Sequence, residues 1–231
     1  TYIGAGAFCG CTSLKEVKLC EGLQEIGKMA FEDCTSLAEC NIPSTVTAIK
    51  SEAFNLCESL KEIHLWEGLH TIGSDAFHGC ESLPTITIPS TVTTIDVAAF
   101  CECTSLREVK LCEGLQIISE WAFAHCTSLT QVNIPSTVTA IEREAFYSCK
   151  SLKGLCTIGN NAFHECAFLS TITLPPTVTT ICFGLFSFCQ SMMECVLPEG
   201  LRTIPELAFK CCTSLTQVNI PSTVTAIERE A

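Results

Sequence analysis

Lysine and arginine are scarce in this chain, 13 against 25 Asp and Glu, and charged residues of either sign make up only 16% of its 231 residues. No Lys/Arg cluster exists. The formal net charge of −12 favours solubility and argues against nucleic acid as a partner, because binding phosphates requires a basic stripe. Paired metal-ligand motifs are also missing. Cys9-x-Cys11 and Cys101-x-Cys103, with His78 near Cys80 and His164 near Cys166, have no second pair at finger spacing, whereas a structural zinc site needs four converging ligands. The histidines follow no repeated column and nothing marks a pocket, so neither Cys–His catalysis nor a metal or cofactor is expected. No signal peptide or anchor stands out. From Ala167 to Met193 no charged residue occurs. Pro175-Pro176 interrupts that run and the repeat register passes through it, so it reads as two buried coils rather than a membrane span.

What the chain has is a phenylalanine every 23 residues: Phe8, Phe31, Phe54, Phe77, Phe100, Phe123 and Phe146, then Phe163 after a short step, Phe186 and Phe209. A fixed period in this range is the mark of a solenoid. Three residues after each Phe stands a cysteine (Cys11, Cys34, Cys57, Cys80, Cys103, Cys126, Cys149, Cys166, Cys189, Cys212), and an isoleucine column (Ile26 to Ile227) is equally complete. The expectation is one domain over residues 1–231, an array of about ten coils. With neighbouring coils ~4.8 Å apart, the array is a rod or shallow arc ~45–50 Å long. It starts and stops part-way through a coil, which reads as an uncapped piece of a longer array with self-association through its ends as one possible contact. In each coil Leu14-x-x-Val17-x-Leu19 alternates as a strand, Pro at the next position (Pro43, Pro89) ends the ladder, and Val46-Thr-Ala-Ile49 reads as a second short strand. Ala53-Phe54 should begin a helical or 3₁₀ turn.

The coils alternate between a Glu-Gly-Leu kind (Glu21, Glu67, Glu113, Glu199) and a Ser/Pro-Thr-Val kind (Thr45, Thr91, Thr137, Thr177, Thr223), which doubles the period to 46. Cys126 to Ala145 recurs identically as Cys212 to Ala231, so duplication of a two-coil block explains it most simply. Phe146 to Phe163 spans only 17 residues. The shortened coil near 147–162 has lost its strand and the following turn, so the sheet should be interrupted there.

Nineteen cysteines would suit a disulfide framework in a small secreted protein. The ten in the column after Phe should instead stack as a buried ladder of mostly reduced thiols, since their parallel Cβ vectors do not favour bridging. Cys40 and Cys195 replace core residues of the strand.

The unit Leu37-Ala-Glu-Cys-Asn-Ile-Pro43, Val46, Ile49, Ala53-Phe54-Asn-Leu-Cys57 strongly resembles the leucine-rich repeats of the BspA-like or Treponema type, pattern LxxLxLPxxLxxIGxxAFxxCxx, and the resemblance covers the whole chain. It implies a leucine-rich-repeat horseshoe or arc with a parallel concave β-sheet of short strands and 3₁₀ or helical turns on the convex side. Members of that family are mostly secreted or surface-displayed adhesins that bind host proteins or other cells. The resemblance supplies no catalytic residues, and an enzyme is not expected.

Outward strand residues would then form the concave recognition face: Lys15, Glu16, Lys18; Lys61, Glu62, His64; Arg107, Glu108, Lys110; and, on the alternate coils, Gln131, Asn133, Gln217 and Asn219. Charged rows separated by neutral rows suit a protein or glycan ligand. The other reading is a spacer or assembly scaffold whose working domain lies elsewhere. A second candidate surface is apolar, with Phe183, Phe188, Met193 and Val196 at usually polar positions and Phe168 in place of Ser. The Thr-x-Thr pairs on alternate coils (Thr45/Thr47, Thr91/Thr93) resemble the ranks of ice-binding solenoids, though residues such as Gln24 and His70 interrupt them.

Overall fold

The computed structural model describes residues 1–135, 137–138, 140–152, 163–174 and 180–231. The regular coils have three sides. A leading strand (Glu16–Lys18, Glu39–Asn41, Glu62–Ile63, Thr85–Ile88, Glu108–Leu111, Gln131–Asn133, Thr171–Thr173, Glu194–Val196, Gln217–Asn219) is followed by a two-residue trailing strand (for example Glu25–Ile26, Ala48–Ile49, Thr71–Ile72) and then by a run of turns. All strand pairings are parallel and in step with the repeat, as in Val17↔Cys40 and Ile26↔Ile49. The architecture is therefore a parallel β-solenoid. Alternation is kept along the strands: in Thr85–Ile88 the isoleucines are buried and the threonines exposed.

The third side departs from expectation. No helix or 3₁₀ segment occurs among the described residues, and Ala30-Phe31 sits in stacked turns. Two residues per coil adopt left-handed backbone, such as Met29 (φ 57°) and Asp33 (φ 56°), or Glu52 (φ 61°) and Leu56 (φ 57°), which breaks a helix at once. The amides then divide by turns. Phe31 and Asp33 donate across to Ala53 and Asn55 of the next coil (2.8 and 2.9 Å), whereas Ala30, Glu32 and Cys34 donate back to Gly27, Met29 and Phe31 (3.2, 3.3 and 3.2 Å). A helix would direct all of them along one coil and leave adjacent coils unbonded on this side.

Inside, the phenylalanines form one continuous stack. Phe31, Phe54 and Phe77 follow one another at centroid spacings of 5.2 and 5.3 Å, and all three are fully buried. The cysteine column has a specific partner there. From Cys34 onward each ladder thiol donates to the carbonyl of the Phe one coil back: Cys57 to Phe31 at 3.2 Å, Cys80 to Phe54 at 3.3 Å, Cys149 to Phe123 at 3.1 Å. That oxygen also accepts the Cys amide of its own coil, so the thiol fills its second lone pair without bringing a strongly hydrated group into the core. Among the described residues no cysteine is in a disulfide. Cys40 and Cys195 are buried, as their strand positions predict.

The doubled period has a physical cause beyond ancestry. The Glu-Gly-Leu turn of one coil grips the Ser-Thr-Val turn of the next. The Glu67 carboxylate accepts from the Ser90 amide (3.2 Å) and hydroxyl (2.9 Å), and the Gly68 amide donates to Thr91 Oγ1 at 3.2 Å. The Thr hydroxyl in turn donates to the Leu carbonyl, as Thr45 does to Leu23 (2.7 Å) and Thr137 to Leu115 (2.7 Å). Among the described residues the first threonine of each such pair is thereby committed to backbone contacts, so these pairs do not form an open rank of hydroxyls. The glycines have positive φ, and at Gly114 (φ 115°) a Cβ would lie 2.2 Å from the Ser90 oxygen.

At the shortened coil the stack continues, with Phe146 and Phe163 at 5.8 Å and Cys166 Sγ 3.5 Å from the Phe146 oxygen. Among the described residues no leading strand bridges Gln131–Asn133 and Thr171–Thr173. The body of the shortened coil, residues 153–162 with Cys156 and Ile158, lies outside the described residues, as do Pro175-Pro176, Thr177 and Thr179. No described helix is long and apolar enough to cross a membrane.

Two predictions follow from these contacts. Burial pushes the Cys40, Cys166 and Cys195 thiols from 9.0 up to about 12, and Cys34 to about 11. Folded pKa values above the unfolded one mean that stability is complete below ~9 and is lost as pH rises toward ~12, by ~1.4 kcal/mol per pH unit for each well-buried thiol. Thermal melts should be flat between roughly pH 6 and 8 and fall steeply above about 9. A flat profile to about pH 11 would mean that the ladder thiols are not held protonated. Gly114→Ala should destabilise by ~3 kcal/mol in denaturant titrations, and more than Gly22→Ala, because Gly22 has positive φ with nothing within 4 Å of its would-be Cβ.

Candidate functional site

On the leading side, the predicted recognition-face residues whose side chains are described all face solvent. Lys15, Glu16, Lys18, Lys61, Glu62, His64, Arg107, Glu108, Lys110, Asn133, Gln217 and Asn219 are all exposed, and Gln131 holds its register opposite Glu108. They do not all stand free. Lys18 pairs with Glu16 at 2.9 Å, with both side chains largely in water, a contact worth little on its own. Asn219 is structural: its Nδ2 donates to the Leu197 carbonyl at 2.9 Å and its Oδ1 accepts the Leu197 amide at 2.6 Å. Lys15, Lys61 and Arg107, at one position of alternate coils, make no ion pair among the described residues.

The leading sheet is split at a place the repeat pattern did not flag. Along it, the residue seven after each Phe donates its amide one coil back: Ala38 to Lys15 (2.9 Å), Lys61 to Ala38 (3.0 Å), Arg107 to Pro84 (2.8 Å) and Thr130 to Arg107 (3.0 Å). Pro84 occupies that position and has no N–H to give to Lys61, so Glu62–Ile63 and Thr85–Ile88 do not pair. The trailing strands remain paired past this point, through Ile72↔Ile95. The split opens a cleft of about 180 Å³ lined by Lys61, Glu62, His64, Thr85 and Thr87. It adjoins a second concavity of about 240 Å³ over Glu16, Lys18, Glu39, Asn41, Glu62 and His64. Beside the cleft stands Trp66, 42% exposed, with its indole N–H on the Ile42 carbonyl at 2.8 Å and its ring edge-on to His64, centroids 4.1 Å apart. The sequence reading passed over Trp66. Its signal was there, as the one aromatic in a column otherwise held by Pro or Cys.

The apolar candidates divide between two sides. Met193 and Val196 lie on the leading face, where Val196 pairs with Asn219 and Thr173, whereas Phe188 belongs to the turn side and packs on His164 at 5.2 Å. Phe168 (61%), Met193 (50%), Phe183 (44%) and Phe188 (37%) are exposed, while Val196 is partly covered.

The turn side corrects one reading of the histidines. His78 and His164 share a column, each following a stack Phe, and Tyr147 and His164 stack there at 5.8 Å. In the same column Cys9 Sγ lies 3.6 Å from Glu32 Oε2, Asn55 Nδ2 donates to Glu32 Oε1 at 3.1 Å, and His78 Nδ1 meets Asn55 Oδ1 at 3.0 Å. One set of metal-capable donors converges among the described residues: His78, Cys101 and Glu102. They line a cavity of about 400 Å³, at a place where nothing in the sequence marks a pocket. Cys103, the other half of the Cys-x-Cys pair, faces the core and donates to Phe77 at 3.2 Å.

The BspA type leucine rich repeat signature matches residues 1–100, 70–156 and 153–231, in six copies. The chain belongs to the BspA-type leucine-rich repeat family. This repeat array is similar to a leucine-rich repeat protein from Bacteroides ovatus, at 31% identity and TM-score 0.75, over 100% of this chain and 67% of that one. A leucine rich cell surface protein of Faecalibacterium prausnitzii is similar at 28% identity and TM-score 0.66 over 99% and 82% of the two chains. The T. pallidum leucine rich repeat protein is 33% identical with TM-score 0.63 over 66% and 71%. No curated protein matches the chain.

Pro84→Ala supplies the missing amide. In hydrogen exchange residue 84 should become as protected as Arg107, and the two halves of the leading sheet should join; an amide that exchanges freely would place the cause of the split elsewhere.

Proposed function

We propose that this BspA-type array is a non-catalytic recognition module of the adhesion kind, binding a protein or glycan on its leading-strand face as part of a secreted or surface-displayed protein. One observation carries the reading: the other sides of each coil are committed to neighbours through the stack, the thiol ladder, the turn clasps and the crossed amides, while the outward leading-strand residues vary from coil to coil at little cost to the fold. Affinity on such a surface is spread over coils and concentrated where a rigid aromatic stands beside an unpaired cation. Lys61, His64 and Trp66 around the Pro84 cleft are that place. The cell-surface description of the Faecalibacterium relative supports the setting.

The test is binding of the purified chain to a panel of extracellular-matrix proteins, glycans and cell surfaces, beside a variant with Lys15, Lys61 and Arg107 all changed to Glu. Binding by the parent that the triple variant loses by at least ~10-fold, with an unchanged circular dichroism spectrum, supports the reading. No binding by either would favour the scaffold role.

A further inference from the structure

We propose that the turn side of the Phe77 and Phe100 coils carries a binding site for a zinc-type divalent transition-metal ion, with His78 Nε2, Cys101 Sγ and a Glu102 carboxylate oxygen as its protein ligands. The three donor atoms come from two adjacent coils and all lie within 4.8 Å of one another. Donors around a tetrahedral ion with bonds of ~2.0–2.3 Å sit ~3.3–3.8 Å apart, so small side-chain rotations close the set. The backbone that carries them is fixed. Gly79 donates to the Cys101 carbonyl at 2.8 Å and Glu102 to Ala124 at 2.8 Å, and Glu102 is held in left-handed backbone at φ 60°.

The imidazole is already oriented for this task. Because the Asn55 amide nitrogen is engaged by Glu32, its oxygen faces His78 and accepts a hydrogen bond from Nδ1–H, the tautomer that leaves the Nε2 lone pair turned to the cluster, 3.9 Å from Glu102. A carbonyl or carboxylate on the far ring nitrogen is the usual support of a metal-binding histidine, and here the support is a two-step relay running back along the array. Access and charge also fit. The neighbouring cavity, lined in part by Asp75, Trp121 and Tyr147, gives room for water to complete the coordination, and Asp75 adds negative charge. One thiolate, one imidazole and one carboxylate select a borderline-soft ion over magnesium or calcium. An ion held by residues of both coils would add a fastening to the main-chain and side-chain contacts that already join coils on this side.

The experiment uses the whole chain, reduced and stripped with chelator, then titrated with Co²⁺ and competed with Zn²⁺. The parent should show the thiolate-to-cobalt charge-transfer band saturating at a single ion and displaced by Zn²⁺. His78→Gln and Cys101→Ala should lose that ion, Asn55→Ala should bind it ~10–100-fold more weakly, and Cys9→Ser should keep it. Cys101 is packed against Ala98 and Ala124, so should its variant fail to fold, Glu102→Gln on the exposed side decides, with at least ~10-fold weaker binding expected. No band in the parent overturns the proposal. So does a band of unchanged strength and affinity in the His78 and Glu102 variants, which would put the ion on exposed thiols such as Cys11 or Cys211.

Discussion

The rest of the structure depends on how the phenylalanine carbonyl is satisfied. That oxygen sits at the centre of each coil, cut off from water, and accepts from the amide of its own coil's cysteine and from the thiol of the next. A solenoid coil has no core of its own, and a buried carbonyl left half-satisfied in every repeat would add a penalty at each step of the stack. The thiol donor is weak, but it is small and apolar enough to be buried in every repeat. The ring above each carbonyl and the sulfur beside it are therefore selected together, which is why both columns run through the shortened coil that has lost most else.

Much of this was legible in the sequence. The period located the stack, alternation separated Val17 from Glu16 and Lys18, and Pro43 marked where the ladder stops. The turn side was hard to read, because Ala30-Phe31 looks like the start of a helix and, although Asp33 and glycines such as Gly10 and Gly79 suit left-handed backbone, Met29, Leu56 and Trp121 in the same columns give no sign of it. Those conformations are imposed by the next coil's carbonyls, which take the amides at alternate positions. Bulky residues such as Trp121 and Leu56 tolerate positive φ for the same reason.

The sites divide in the same manner. Outward strand residues follow from a period of two and were found. The sheet split at Pro84 was readable in principle, since proline stands where each neighbour donates an amide, but only once the register showed which amide crosses. Asn219 reads as a ligand group in sequence and proves to be a brace for Leu197. Reading each column by itself set His78 with Cys80, two residues along the chain but facing the core, and so concealed that His78 meets Cys101 and Glu102 of the following coil.

The clasp between unlike turns runs one way: a Glu-Gly-Leu turn holds the Ser-Thr-Val turn after it. The contact gives the array a parity. Recombination that removed or added one whole coil would set two turns of the same kind side by side, with a carboxylate facing a carboxylate or a threonine facing no glycine amide. Lengthening or shortening without that cost proceeds two coils at a time. The short step from Phe146 to Phe163 obeys the same arithmetic by another route, since it falls where a Glu-Gly-Leu turn is due, lacks that turn's glutamate, and keeps the coil's place in the count.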